Sequence, residues 1–437
     1  MGSDGGLEVN IYFETYGCAL NKADTSLMKS LAVSRGHRVV EDVDEADVVV
    51  VNTCTVRLDT ELKIIKRLSY LYRQHGDSKK IVVAGCMASA QPYTVKKIAP
   101  RAVLVSPQNI TKLLEAVESG TDYILGERDT TFLKPYLEGA VAAVPIAEGC
   151  VGNCSFCITK LARRRLRSYG PGHIVGAVRD AVEKGAVEVE LTAQDTGSYG
   201  LDIGDYRLPD LVRDIVEKVP GSYMLRIGMT NPDTLAKILD GVIEILREPK
   251  VFKYLHIPLQ SADDRVLKIM RRRYTYDEFK KIVREIRRKV PAITIATDII
   301  VGHPGEDDEA FRNTIRAVAE LQFDKVHIAQ YTIRPRTEAA SMPQVPEHVK
   351  KLRSTILSKL VERIGLNINR EYVGSLAKVV ITGRGFRGGT AGRTLNYKPV
   401  ILSEGIERSH LGETQVVKIA DATFYDLRGQ ALRSLRP

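Results

Sequence analysis

The sequence predicts an α/β chain in three parts: a doubly wound parallel sheet over residues 7–135, a partial (β/α)6 TIM-like barrel over 136–370, and a small antiparallel, OB-like β-barrel over 371–437. Three observations lead there. Strand-length apolar runs alternate with helical patterns in the first part. Six more such runs, separated by long helical stretches, fill the middle, and from Tyr372 short strands and glycine-rich turns take over. The length, 437 residues at about 150 per domain, also fits three units.

In the first part the apolar runs are Asn10–Thr15, Val48–Asn52, Ile81–Gly85 and Ala102–Ser106, with helical patterns at Thr25–Arg35 and Asp59–Gln74. The uninterrupted Val48-Val49-Val50-Val51 suits a strand buried on both faces, hence a parallel sheet covered by helices. Cys18, Cys54 and Cys86 each follow one of these strands. They therefore fall on the carboxyl rim, where open α/β sheets hold their ligands.

The middle runs are Ala142–Glu148, Glu188–Asp195, Tyr223–Thr230, Tyr254–Gln260, Thr294–Gly302 and Lys325–Thr332. Helical stretches at His173–Lys184, Leu208–Val219, Pro232–Arg247, Thr275–Arg288 and Asp307–Leu321 are long enough to cross over between them. One further helix, Glu347–Asn369, follows in place of the two units a full barrel would need. The last part offers strands at Lys378–Thr382, Val400–Ser403 and Thr414–Asp421. Its G-x-G-x-x-G at Gly383–Gly388, with Glu404 about 20 residues from its start, has no helix after it to receive a pyrophosphate and reads as a basic turn.

With 44% hydrophobic and 27% charged residues the composition is that of a globular protein. The net charge of +10 is compatible with affinity for a polyanion and equally with simple solubility. No apolar run reaches about 18 residues and the opening lacks a secretion pattern, so the expectation is a cytoplasmic protein without membrane attachment. Met1–Gly6 is flexible in composition and takes no part in the fold argument.

In a reducing compartment six cysteines argue for metal and against disulfides. Cys150, Cys154 and Cys157 form C-x3-C-x2-C directly after the first strand of the middle part. Three thiolates on a tight loop suit three corners of a [4Fe–4S] cluster and leave one iron free for a ligand that is not protein. Structural zinc is nearly always bound by four protein ligands, and none follows at zinc-finger spacing.

This motif, after the first strand of a partial barrel, resembles the radical S-adenosylmethionine (AdoMet) superfamily, and Ile299–Glu306 resembles that family's fifth-strand AdoMet segment. Tyr16–Asn21, Asn52-Thr53-Cys54 and Gly85-Cys86-Met87, with Gln194–Gly200, Leu255–Ser261 and Met270–Thr275, narrow the likeness to the methylthiotransferases, in order along nearly the whole chain. The last part is similar to the TRAM domain, an RNA-binding appendage of that family. The resemblance implies two [4Fe–4S] clusters, an auxiliary one on Cys18, Cys54 and Cys86 and a radical one on Cys150, Cys154 and Cys157. It also implies two AdoMet molecules, one giving the methyl group and one the 5′-deoxyadenosyl radical that takes hydrogen from C2 of an adenosine. Gln194, Asp195, Gln260 and Glu306, each at the C-terminal end of a strand, are the candidate AdoMet contacts.

Lys160, Arg163, Arg164, Arg165 and Arg167 are the candidate RNA phosphate contacts, with Arg179 at the end of the same acid-free stretch. Arg271-Arg272-Arg273 is a second, weaker candidate. The family usually has Gly where Arg164 stands. Thr15–Asp24 and Cys157–Arg163 look like the archaeal and eukaryotic branch, which acts on threonylcarbamoyl-adenosine beside the anticodon of tRNA. Isopentenyl-adenosine in tRNA and a ribosomal-protein aspartate are the alternatives within the family. A non-catalytic iron–sulfur RNA-binding protein and a zinc-stabilised one are the alternatives outside it. The expected partners are the anticodon stem-loop, an electron donor and a sulfur source, and the expected state is a monomer.

Overall fold

The computed structural model describes residues 8–384, 390–402 and 411–431; residues 385–388 of the glycine motif and Glu404 lie outside them. The first part is a five-stranded parallel sheet in the order β2-β1-β3-β4-β5. Its strands are β1 (Asn10–Thr15), β2 (Arg38–Val40), β3 (Val48–Thr53), β4 (Lys80–Gly85) and β5 (Val103–Val105). Every residue of β3 is buried, as its unbroken valine run requires of a central strand. The edge strand β2, three residues with only Val40 buried, carries too short a pattern to read from sequence.

Three helices position the first cysteines: α1 (Ala19–Ser34), α2 (Leu58–His75) and α3 (Cys86–Ala90). Helix α1 packs on β1 and also on the first strands of the middle part. Covered on two sides, it buries Asn21 and Asp24 completely among its apolar residues.

The middle part supplies β6 (Val141–Pro145), the short antiparallel pair β7 (Ala147–Glu148) and β8 (Arg167–Ser168), then β9 (Glu188–Thr192), β10 (Met224–Ile227), β11 (Tyr254–His256), β12 (Thr294–Val301) and β13 (Lys325–Gln330). Six of these run parallel as two three-stranded sheets, β6-β9-β10 and β11-β12-β13. Isolated bridges Leu225–Val251 and Met229–His256 join the two sheets. Among the described residues β6 and β13 do not pair, so the barrel is open on that side. Several predicted strands end early. Tyr254–Gln260 is strand only to His256, because Pro258 has no N–H for a ladder, and Pro145 closes β6 in the same way.

The last part is a closed barrel in the order β14-β15-β16-β18-β17, from β14 (Leu376–Arg384), β15 (Thr390–Thr394), β16 (Pro399–Leu402), β17 (Thr414–Ala422) and β18 (Leu427–Ala431). Four of its pairings are antiparallel, and one parallel pair, β16 with β18, closes it. It docks on the amino-terminal ends of the large barrel's strands. The Tyr397 hydroxyl donates to Glu188 at 2.6 Å, Lys398 Nζ meets Asp324 at 2.7 Å, and the Lys253 N–H reaches Leu395 O at 3.0 Å. The cysteines lie at the opposite rim. No helix among the described residues is long and apolar enough to cross a membrane.

Candidate iron–sulfur and nucleic-acid site

Cys18 is the N-cap of α1, Cys54 follows β3, and Cys86 opens α3. Two glycines let these ends converge. A Cβ on Gly17 (φ +107°) would lie 2.7 Å from the Cys54 Cβ, and one on Gly85 (φ +88°) 2.2 Å from the Asn52 Oδ1. Burial pushes the Cys86 thiol up to about 12, opposed by Arg163, with the thiols of Cys54 and Cys18 close enough to add to the rise. The Arg163 Nε–H lies 3.4 Å from the Cys86 Sγ.

The second triad sits in the loop between β7 and β8. Gly149 (φ +77°) begins it, and a Cβ there would meet the Arg165 carbonyl oxygen at 1.9 Å. The Gly152 N–H donates to the Cys150 Sγ at 3.2 Å, and the Cys157 N–H to the Cys154 carbonyl at 3.1 Å. Burial pushes the Cys150 thiol up to about 11 and raises that of Cys157. Arg272 donates from Nη1 to the Cys154 Sγ at 3.4 Å while its Nη2 holds Asn231 at 2.9 Å. Each triad thus has one buried arginine against one sulfur, and both thiol sets must lose protons to bind iron.

Among the described residues the one group of ligand atoms lying within 4.8 Å of one another is His256, Asp298 and His327. Neither cysteine triad is that tight, whereas a single tetrahedral ion with Zn–S of about 2.3 Å would draw its sulfurs well inside that span. Three sulfurs set wider suit three iron corners of a larger iron–sulfur cube. The thiolate donor sets therefore suit [4Fe–4S].

The helix that Cys86 opens packs on the segment after Cys157, across the interface between the first two parts. Cys86 and Ala90 of α3 pack with Ile158 and Ala162, residues that directly follow Cys157. A buried ring of four charges fixes this contact. Asp24 binds Arg128 at 2.8 Å and Arg163 at 2.7 Å, Arg163 binds Glu148 at 2.8 Å, and Arg128 approaches Glu148 at 3.8 Å. Each of these side chains is 1% exposed, so the charges compensate one another rather than being solvated.

Beside Cys157 lies a cavity of ≈ 260 Å³ that Phe156, Gln260, Asp298, His327 and Arg334 also line. The four candidate AdoMet contacts differ in character. Gln260 lines this cavity, and the Oε1 atoms of Gln260 and Gln194 are buried with no hydrogen-bond partner among the described residues. The carboxylates of Asp195 and Glu306 already accept hydrogen bonds from the protein. Asp195 accepts from the N–H groups of Gly197 and Asn231 and from the Thr234 hydroxyl, at 3.0–3.1 Å. Glu306 accepts from the Gly302 N–H at 2.8 Å and from Arg353 at 2.7 Å. These bonds hold the rim in shape, and neither of those to Glu306 uses its Oε2.

Lys160, Arg163, Arg164, Arg165 and Arg167 line one groove of ≈ 610 Å³. Arg165 and Arg167 are exposed, Arg167 pairing with Glu127, and Lys160 donates to the Cys150 carbonyl at 2.5 Å. Arg163 does not act as a phosphate contact, because its guanidinium is fully engaged inside. The same correction applies to Arg272, while Arg271 and Arg273 pair with Glu338 and Asp233. Arg179 is exposed on another helix and does not line the groove. Sequence reasoning missed the partners Asp24, Glu148 and Arg128. The signal it could have used is a carboxylate inside an otherwise apolar helix face, at Asp24.

Three protein-family models match segments of this chain. The model of Uncharacterized protein family UPF0004 matches residues 10–106, that of the Radical SAM superfamily 144–318, and that of the TRAM domain 370–432. The probable threonylcarbamoyladenosine tRNA methylthiotransferase of Pyrococcus abyssi is 39% identical over 436 residues, covering 97% of this chain and 100% of the relative. That of Methanocaldococcus jannaschii is 40% identical over 435 residues, 98% of each, and the threonylcarbamoyladenosine tRNA methylthiotransferase of Mus musculus 33% over 445 residues, 98% of this chain and 75% of the other. Among solved structures, the radical S-adenosylmethionine methyltransferase TsrM from Kitasatospora setae shares the fold, with TM-score 0.59 at 15% identity over 76% of this chain and 77% of that one. The full-length identity, the three matched domains and the paired cysteine triads together establish that the chain belongs to the threonylcarbamoyladenosine tRNA methylthiotransferases of the radical SAM superfamily.

Proposed function

We propose that this chain adds a methylthio group to C2 of N6-threonylcarbamoyladenosine beside the anticodon of tRNA, in the cytoplasm, using two [4Fe–4S] clusters and AdoMet. The observation that carries the reading is the packing of Cys86 against Ile158, next to Cys157, with Cys157 itself lining a cavity.

Cys150, Cys154 and Cys157 would hold the radical cluster, and Cys18, Cys54 and Cys86 the auxiliary one. When bound, these groups supply one-electron cleavage of AdoMet and sulfur held at iron, which functionalisation of an unactivated C–H bond requires. The chain's own residues provide the setting. Gln194 and Gln260 offer buried acceptors for AdoMet donors. Ile299, Ile300 and Phe156 give the cavity an apolar wall that keeps water from a reactive species. Arg163 and Arg272 place positive charge against thiolate sulfur. The exposed Arg165 and Arg167 would take tRNA phosphates, aided by the TRAM barrel at the far end. An electron donor and a sulfur source complete the reaction.

Anaerobic incubation of reconstituted protein with AdoMet, dithionite, sulfide and tRNA bearing threonylcarbamoyladenosine tests this. Digestion should yield the methylthio nucleoside along with 5′-deoxyadenosine, and iron analysis should show two clusters separable by Cys→Ala triads. An unchanged nucleoside would reject the proposed activity, and a single cluster would reject the division of labour.

A further inference from the structure

The cavity beside Cys157 contains one cation whose hydrogen bonding is incomplete. The Arg334 side chain is 5% exposed, and its Nη1 donates to the Glu61 Oε2 at 2.8 Å. Its Nε and Nη2 are buried with no partner among the described residues. A buried, unsatisfied guanidinium edge is costly, so a native chain that keeps one holds it for a ligand. Nε–H and Nη2–H project in parallel from one edge of a planar guanidinium, the fork that grips both oxygens of a carboxylate.

Position selects among carboxylates. Glu61, which fixes Arg334, also accepts from Thr55, the neighbour of Cys54. The loop after Arg334 binds the radical-cluster loop through the Ala339 N–H to the Ser155 carbonyl at 2.9 Å. Arg334 is therefore tied to both cysteine loops, where the target base must lie. Asp298 in the same cavity is paired with His256 at 2.9 Å, and exposed Arg57 adds positive charge to the lining.

We propose that the free edge of Arg334 binds a carboxylate bidentately, and that this carboxylate belongs to the threonylcarbamoyl group of the substrate nucleoside. The proposal rests on the activity proposed above. AdoMet also carries a carboxylate, and the experiment separates the two sources.

Anticodon stem-loops carrying threonylcarbamoyladenosine, its neutral methyl ester or plain adenosine are titrated against reconstituted protein, alongside equilibrium dialysis of AdoMet. The wild type should prefer the acid over the ester by about tenfold or more, the size of a good bidentate contact. R334M should abolish that preference, and R334K, which keeps a charge for Glu61 but lacks the fork, should weaken it with thermal stability retained. AdoMet affinity should stay within about twofold of wild type in both variants, against that tenfold. Loss of AdoMet affinity, equal weakening toward all three stem-loops, or a wild type indifferent to the ester would each overturn the proposal. Binding needs no turnover, so its failure is distinguishable from failure of the methylthio transfer.

Discussion

The Arg163 Nε–H lies 3.4 Å from the Cys86 Sγ, although the two residues belong to different domains and stand 77 apart in sequence. The same guanidinium holds Glu148 and Asp24 at 2.8 and 2.7 Å. One side chain thus locks the domain interface and brings a cation to the auxiliary triad. R163M should lower unfolding free energy by about 3 kcal/mol or more, since it leaves the two buried carboxylates Asp24 and Glu148 with Arg128 as their one shared cation. Urea titration of the anaerobic holoprotein checks this, and a loss below about 1 kcal/mol, the range of a surface pair, would contradict the buried ring.

Arg272 plays the matching part at the radical triad, 3.4 Å from the Cys154 Sγ. A cationic donor on a ligand sulfur stabilises the more negative, reduced cluster. R272M should therefore shift the midpoint potential of that cluster to more negative values while iron content holds, as read by an EPR-monitored redox titration. An unmoved potential would count against the contact.

Arg164 has φ +58° and ψ −133°, backbone that suits glycine and strains any other residue by roughly 1–3 kcal/mol. Its guanidinium makes only long contacts, 3.3 Å, to the carbonyls of Gly126 and Ile124. R164G should raise unfolding free energy by about 1 kcal/mol and yet weaken tRNA binding, because the groove loses a charge. Replacing exposed Arg165 and Arg167 by Gln should lower the salt dependence of binding by roughly one counterion each, whereas a buried Arg163 predicts no such change in slope beyond its effect on folding.

His303 is fully buried, donates from Nδ1 to the Pro304 carbonyl at 2.8 Å, and has an Nε2 with no partner among the described residues. Burial pushes it down to about 4. Its folded value lies below its unfolded one, so between about pH 6.5 and 4 the unfolded chain binds more protons. Its contribution to stability is full above that window and is lost as the pH falls through it, with a slope of at most about 1.4 kcal/mol per pH unit. H303F keeps a ring between Phe156 and Tyr331 and should flatten that slope. Unfolding curves at several pH values for both proteins decide it.

Much of this protein is written in local pattern. The valine run of β3, the alternation of strand and helix, and the C-x3-C-x2-C loop each identify an element through neighbouring residues, because a buried parallel strand or a metal-binding loop needs a recognisable composition over a few positions. The cysteines belong to that class: Cys18, Cys54 and Cys86 stand just beyond strand ends, and Cys150, Cys154 and Cys157 share one short loop after a strand. The tertiary structure decided what depends on contacts between distant segments. It turned Arg163 and Arg272 inward from what reads as a basic surface, bonded Asp195 and Glu306 to groups distant in sequence, and left one edge of Arg334, a residue of the cavity wall, unpaired among the described residues. A charged side chain looks the same in sequence whether water or a buried carboxylate satisfies it. Only the packing of α1 between two sheets, and of α3 against the cysteine loop, removes the water and assigns each charge its partner.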